Sequence, residues 1–518
     1  MFDLKIVDGM LLDGTGALAR RADIGITGDR ITSIGELAEA EARSIIQAEG
    51  RIVCPGFIDA HSHSDTYLLI EPTAPSKVYQ GVTTEVIGNC GASAAPCLGV
   101  AHLASDWQLQ SYPRPWKTMA EYRQILEEVK PVVNVVPLVG HNVLRASVLG
   151  YEGRAATDDE VKAMERLLEQ SLDDGARGLS SGLIYPPGMY ATREEIIRLA
   201  RVVQRRSGIY TSHMRSESNQ LIEALNETIG VGLATGVRVQ VSHLKTSGRG
   251  NWHLIDAALE TIESARRAGV AVAADRYPYI SSCTELDVIF PDWVTEGGRE
   301  VEMARLQDPG MKARLRAELL ESRSERSWEN ITVGSTTAVN RQYRGLSLVE
   351  AAALLKMEAV DTALYLIETD GLMTTAFFQG MNEENLWRIL GQPWVMIGSD
   401  ASLRAPWGPL SRDYPHPRAY GSFPKFLRAA LDGRTVSLPE AVRKMTALPA
   451  AQFSLAARGE LREGYLADVT VFDPGSLRDC ATFSDPHRFS DGISHLVVNG
   501  ITVLADGQLT GARPGVWL

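Results

Sequence analysis

The sequence predicts a (β/α)8, TIM-like barrel with a small β-sandwich domain built from both chain termini and an inserted lid. Three observations predict it. Eight apolar segments alternate with helical stretches through the middle of the chain. Short strand patterns with Gly-rich turns occupy both ends. One connection, after Tyr279, is far longer than the rest. An open doubly wound sheet is the main alternative, because it alternates strands and helices in the same way.

Residues 1–54 read as half-buried strands at 4–9, 23–26 and 30–34, with turns at Asp13-Gly14 and Gly28-Asp29. The same texture returns within 448–518, at 464–473, 495–500 and 502–504. Neither end is large enough for its own core, so the two are expected to form one β domain rather than two appendages. Residues 55–447 then carry the barrel. Its strand-bearing segments are 52–63, 81–90, 132–141, 176–182, 208–213, 237–243, 270–279 and 393–400. Thr157, Thr192 and Ser347 each precede a glutamate by three residues and open a helix as capping boxes. Val161, Met164, Leu167 and Leu168 give the first of these helices an apolar stripe. The long connection, about 284–345, contains Pro291, Trp293, Gly297-Gly298 and a charged helix at 311–322. It reads as an insertion, either a lid or a plain structural excursion.

A chain of 518 residues exceeds the usual span of one core. A net charge of −12 without a basic stretch argues against nucleic acid or an anionic membrane as partner. The opening residues mix acid and base and run into a strand pattern, so no signal peptide is expected. No apolar run is long enough for a bilayer. Five scattered cysteines in a large chain do not make a disulfide framework, and cytoplasmic residence is expected.

Chemistry in such a barrel sits where strands end. Those ends carry His61 and His63, Cys90, His141, Ser180-Ser181-Gly182, His213, His243, Tyr277 and Tyr279, and Asp400. The chain has ten histidines, and five fall at these positions. His61 and His63 alternate with Ser62, so on a strand they share a face. Cys90, His213 and His243 supply one thiolate and two imidazoles, the three ligands a catalytic zinc needs beside an open position. Each alone also reads as a buried structural side chain; the Gly88-Asn89-Cys90-Gly91 turn favours a pocket-lining role. Asp400 closes an apolar strand, where a carboxylate is costly unless it works; a general base is its natural role, a turn aspartate the plainer one.

The order His-x-His, His, His, Asp on a barrel flanked by a split β domain resembles the amidohydrolase superfamily. The D-aminoacylase family, the N-acyl-D-amino-acid deacylases, is closer still. Its motifs stand as Pro55-Gly56-Phe57-Ile58-Asp59-Ala60-His61-Ser62-His63, Gly88-Asn89-Cys90-Gly91, Tyr185-Pro186-Pro187-Gly188, Ser212-His213-Met214-Arg215, Ser242-His243-Leu244-Lys245, Tyr277-Pro278-Tyr279, Gly398-Ser399-Asp400 and His416-Pro417-Arg418. The resemblance implies that Cys90, His213 and His243 hold a tight zinc. His61 and His63 would form a second, weaker or empty, position that Cys90 can bridge, and Asp400 would be the catalytic base. No lysine stands where many superfamily members carry a carboxylated bridging lysine; Cys90 looks like its replacement. Lys245 would meet the substrate carboxylate, with Tyr185, Tyr277 and Arg418 as further contacts. The implied reaction is zinc-dependent hydrolysis of small N-acyl-D-amino acids, and D-selectivity rests on the resemblance alone. Arg276, inside Asp275-Arg276-Tyr277, is unexpected in that wall. A cyclic-amide or isoaspartyl-dipeptide hydrolase and a catalytically dead binding protein are the alternatives.

Overall fold

The computed structural model describes residues 1–323 and 325–518. Eight parallel strands form the central barrel. They are β1 (Phe57–Asp59), β2 (Val82–Ile87), β3 (Asn134–Pro137, continued by Val139–Gly140), β4 (Gly178–Gly182), β5 (Ile209–His213), β6 (Arg238–Val241), β7 (Val272–Arg276) and β8 (Val395–Ile397). Each falls inside one of the eight apolar segments. Neighbours in sequence are neighbours in the sheet, and pairing is parallel throughout. The ring closes between β8 and β1: Ala60 N donates to Ile397 O at 3.2 Å, and Asp400 N donates to His61 O at 2.7 Å. Ile58, Val86, Val136, Ile209, Ala273 and Met396 fill the barrel interior. A second apolar layer seats the helices on the outside.

Helix starts follow local chemistry. Thr157 and Ser347 form full capping boxes with Glu160 and Glu350. Thr192 accepts from Glu195 N, but the Glu195 carboxylate does not reach back. It lies 2.8 Å from His141 Nε2 and 2.5 Å from Arg145 Nη1, because a buried acid between two bases finds better partners there than at a helix start. A further capping box opens the helix Met119–Val129.

The two chain ends build one sandwich. Phe2–Val7, Asp23–Thr27, Arg30–Gly35 and Ala42–Gln47 make one sheet. The other places Ile52–Pro55 between Met10–Leu11 and the C-terminal strand Val469–Phe472. Leu4, Ile6, Ile24 and Ile26 pack with Val469, Val471 and Val497 in their shared core. Contacts with the barrel continue past the expected boundary at 447/448. Ala450, Phe453 and Leu455 plug the floor of the barrel, and Leu518 N returns to donate to Val135 O of β3 at 2.9 Å.

The insertion is larger than 284–345. Ser281–Glu285, Ile331–Val333 and Thr375–Gln379 form a separate antiparallel sheet. The helices Arg299–Gln307, Pro309–Ser322, Leu348–Leu355 and Ala359–Thr369 pack on it around Leu286, Leu306, Leu315, Val360, Leu364 and Ala376. The helix opened by Ser347 therefore belongs to the inserted unit. Among the described residues, no helix is long and apolar enough to cross a membrane.

Candidate metal centre and catalytic site

Six side chains meet at the C-terminal mouth of the barrel. His61 and His63 follow β1, Cys90 follows β2, His213 ends β5, His243 follows β6 and Asp400 follows β8. They make two overlapping donor sets: His61, His63, Cys90 and Asp400, and Cys90, His213 and His243. Within each set the ligand atoms lie within 4.8 Å of one another. Cys90 belongs to both; its Sγ is 3.2 Å from His61 Nε2 and 3.4 Å from His243 Nε2.

Three of the six have left-handed backbone: Cys90 at φ 53°, His243 at 36° and Asp400 at 50°. Such a conformation costs a non-glycine residue about 1–3 kcal/mol and persists where the surroundings over-determine it. Here each left-handed residue stands where the chain leaves a barrel strand, directly at the donor cluster. Gly88 makes the Cys90 turn possible. It also has positive φ, and a Cβ on it would lie 2.2 Å from Leu138 O.

Buried carboxylates orient the imidazoles. Asp275 Oδ1 accepts from His243 N at 2.9 Å and lies 3.1 Å from His61 Nδ1, bent away from hydrogen-bond alignment. Glu217 Oε1 is 2.7 Å from His243 Nδ1. Both histidines turn Nε2 toward Cys90, and the carboxylate behind His243 is placed as the partner that orients a metal-binding imidazole. Burial favours the neutral Cys90 thiol, but the charges of His61 and His243 beside it outweigh that penalty. The thiol is held well below its ordinary value, as a thiolate ligand requires. Burial also raises Asp400; Arg418, His243 and His63 overcome it and keep the carboxylate ionised. Asp400 Oδ1 lies 3.1 Å from His63 Nε2 and 3.4 Å from His61 Nε2.

The donor set fits zinc. His213 is buried, and among the described residues neither of its ring nitrogens has a hydrogen-bond partner. An imidazole left that way beside a thiolate and a second imidazole is explained by a shared metal. Soft sulfur with imidazole nitrogen is the donor chemistry zinc prefers.

Lys245, Arg418, Tyr277 and Tyr185 all lie close to the donor cluster. Lys245 Nζ is ion-paired with Glu217 and sits 2.8 Å from His243 Nδ1. Arg418 Nη1 donates to Asp400 Oδ2 at 2.7 Å, and its guanidinium lies over the Tyr277 ring at 4.5 Å. The Tyr277 hydroxyl is buried without a partner. The Tyr185 hydroxyl is 3.2 Å from Thr284 Oγ1, and its ring stands edge-on to His213 at 4.9 Å. Arg276 makes its contacts outside the donor cluster, with Tyr277, Tyr279 and Met381. It is buried over the Tyr277 ring at 4.0 Å and donates to Tyr279 O.

His141 is the one strand-end histidine outside the cluster; it is held by a buried contact of its Nε2 with the Glu195 carboxylate. Asp275 and Glu217 were missed by sequence reasoning, as was Lys77. Lys77 is fully buried beneath the site, bonding Asp59 at 2.7 Å, Glu85 at 3.0 Å and Ser399 Oγ at 2.9 Å. A lysine five residues before an apolar strand gives little warning of this. Asp275, an acid inside the apolar run of β7, did carry a signal.

A family model described as amidohydrolase family matches residues 44–504. A D-aminoacylase and an N-acyl-D-glutamate deacylase of Alcaligenes xylosoxydans xylosoxydans are each 37% identical to the chain. The alignments cover 99% of this chain and 97% and 96% of theirs. The crystal structure of N-acyl-D-glutamate deacylase from Bordetella bronchiseptica, complexed with zinc and a phosphonate inhibitor, superposes with a TM-score of 0.85 at 37% identity. That match covers 100% of this chain and 99% of the other. With its barrel, split β-sandwich and Cys90-bridged donor cluster, the chain belongs to the amidohydrolase family, in its D-aminoacylase branch.

Proposed function

We propose that the protein hydrolyses the amide bond of N-acyl-D-amino acids, releasing a carboxylate and a free D-amino acid. The observation that carries this reading is the convergence of Cys90, His213 and His243 beside an ionised Asp400. Cys90, His213 and His243 would hold a tight zinc; His61 and His63, with Cys90, would offer a second, weaker position. When bound, zinc acts as a Lewis acid that lowers the pKa of water to about 7 and polarises a carbonyl. The protein supplies the rest. Asp400 takes a proton from the attacking water and returns it to the leaving nitrogen, without which the amine is a poor leaving group. Arg418, Lys245 and Tyr277 bind the substrate's α-carboxylate, and Tyr185 closes the wall beside His213. The Tyr277 hydroxyl, buried and unpaired, is ready to donate to that carboxylate. The inserted unit, whose strand Ser281–Glu285 lines the mouth, serves as the lid.

Zinc-loaded protein assayed on N-acetyl-D-methionine, N-acetyl-L-methionine and hydantoin tests the reading. Turnover of the D-isomer, with the L-isomer and hydantoin slower by about a hundredfold or more, is expected. Preferred opening of hydantoin would assign the site to cyclic amides.

A further inference from the structure

The strand Ser281–Glu285 forms one side of the mouth. Ser281 O lies 3.1 Å from His416 Nε2, and Cys283 O accepts from Arg418 Nη2 at 3.4 Å. Thr284 Oγ1 meets the Tyr185 hydroxyl at 3.2 Å and donates to Glu285 Oε2 at 3.4 Å. The half-buried Glu285 carboxylate is thus two hydrogen bonds from the ring that stands against His213. Its further neighbours include Asp287 and Glu302, both acidic, and Arg299 lies beside those two acids. Arg299 Nη1 lies 3.9 Å from Asp287 Oδ2, and Arg299 Nη2 is bonded to Leu372 O.

The cations nearby are each already engaged, and two of them, Arg418 and Lys245, are the ones assigned above to the α-carboxylate. Arg418 is paired with Asp400, Lys245 with Glu217 and Arg404 with Asp413. Arg276 is enclosed against Tyr277 and Met381. This wall can receive one carboxylate, the α-carboxylate, at Arg418, Lys245 and Tyr277. A second carboxylate brought in beside Glu285 would meet a like charge in a partly dry cleft, where repulsion is weakly screened.

We propose that Glu285 is a specificity-determining residue that lines the side-chain subsite and turns away substrates carrying a second carboxylate, so that neutral and cationic D-side chains are preferred. The proposal rests on the N-acyl-D-amino-acid reading above. It separates this chain from its relative that acts on N-acyl-D-glutamate.

The test compares kcat/KM for the isosteric pair N-acetyl-D-glutamine and N-acetyl-D-glutamate in the zinc-loaded wild type and in Glu285→Gln. Wild type should favour the amide by about tenfold or more, and Glu285→Gln should shrink that ratio several-fold, mainly by raising the rate on the acid. N-acetyl-D-lysine should outrun N-acetyl-D-glutamate in the wild type, a comparison that needs no variant. A ratio unmoved by Glu285→Gln overturns the proposal. So does a wild-type preference for the acid that Arg323→Ala removes. Arg323 lines a neighbouring cavity of about 690 Å³ with Ser218, Ser247 and Asn251, and that result would place the side chain there. If neither these substrates nor N-acetyl-D-methionine is turned over, the deacylase reading itself fails, and the proposal with it.

Discussion

Cys90 stands in both donor sets, between His61 and His243, and its thiol is held ready to ionise by the imidazoles around it. Replacing it with serine exchanges a soft, acidic donor for a hard one that stays protonated. Cys90→Ser should weaken zinc binding about tenfold or more, read as metal content at fixed free zinc; unchanged stoichiometry would remove Cys90 as a ligand. Lys77 works one layer below. It ties Asp59 and Glu85 to Ser399, next to Asp400. Lys77→Met would leave two buried carboxylates without their cation and should cost about 3–5 kcal/mol of stability in urea unfolding. A loss under about 1 kcal/mol would mean the network is dispensable. At this scale the sequence exposed the candidate ligands that the structure brings together, because His, Cys and Asp at strand ends are conspicuous by type and place. It did not expose Glu217 and Lys77, whose partners lie 26 and 18 residues away in sequence and meet only once the barrel closes.

The inserted element has its own electrostatics. Burial and the neighbouring Asp287 push the Glu302 carboxyl from its ordinary 4.5 up to about 8, and burial with Glu285 pushes Asp287 up to about 7. These folded values lie above the unfolded ones, so the folded unit holds protons that the unfolded chain releases. Its stability is therefore full below about pH 4 and declines as pH rises through 7 to 8. Glu302→Gln removes one of the two groups. It should flatten the fall in melting temperature between pH 6 and pH 9, and an unchanged pH profile would contradict the buried-acid account. The extent of this element was poorly legible. Its closing strand, Thr375–Gln379, looks like any half-buried strand, and the Ser347 capping box marks a helix start without saying which core the helix joins. The barrel strands were legible because parallel strands buried on both faces read as continuous apolar runs.

At the scale of the whole molecule, the centre is assembled from the ends of β1, β2, β5, β6 and β8. These are held in register by a ring that closes at Asp400 N to His61 O and is plugged from below by Ala450, Phe453 and Leu455. On the proposed reading, metal binding reports on the assembled mouth, whereas proton transfer depends on one carboxylate within it. Asp400→Asn separates the two, because it preserves shape and removes the base. The decisive measurement is zinc stoichiometry together with N-acetyl-D-methionine hydrolysis in wild type and Asp400→Asn. The account predicts that the variant keeps its tight zinc and its melting temperature while kcat falls about a hundredfold or more. An Asp400→Asn protein that binds zinc and hydrolyses the substrate at the wild-type rate would contradict it.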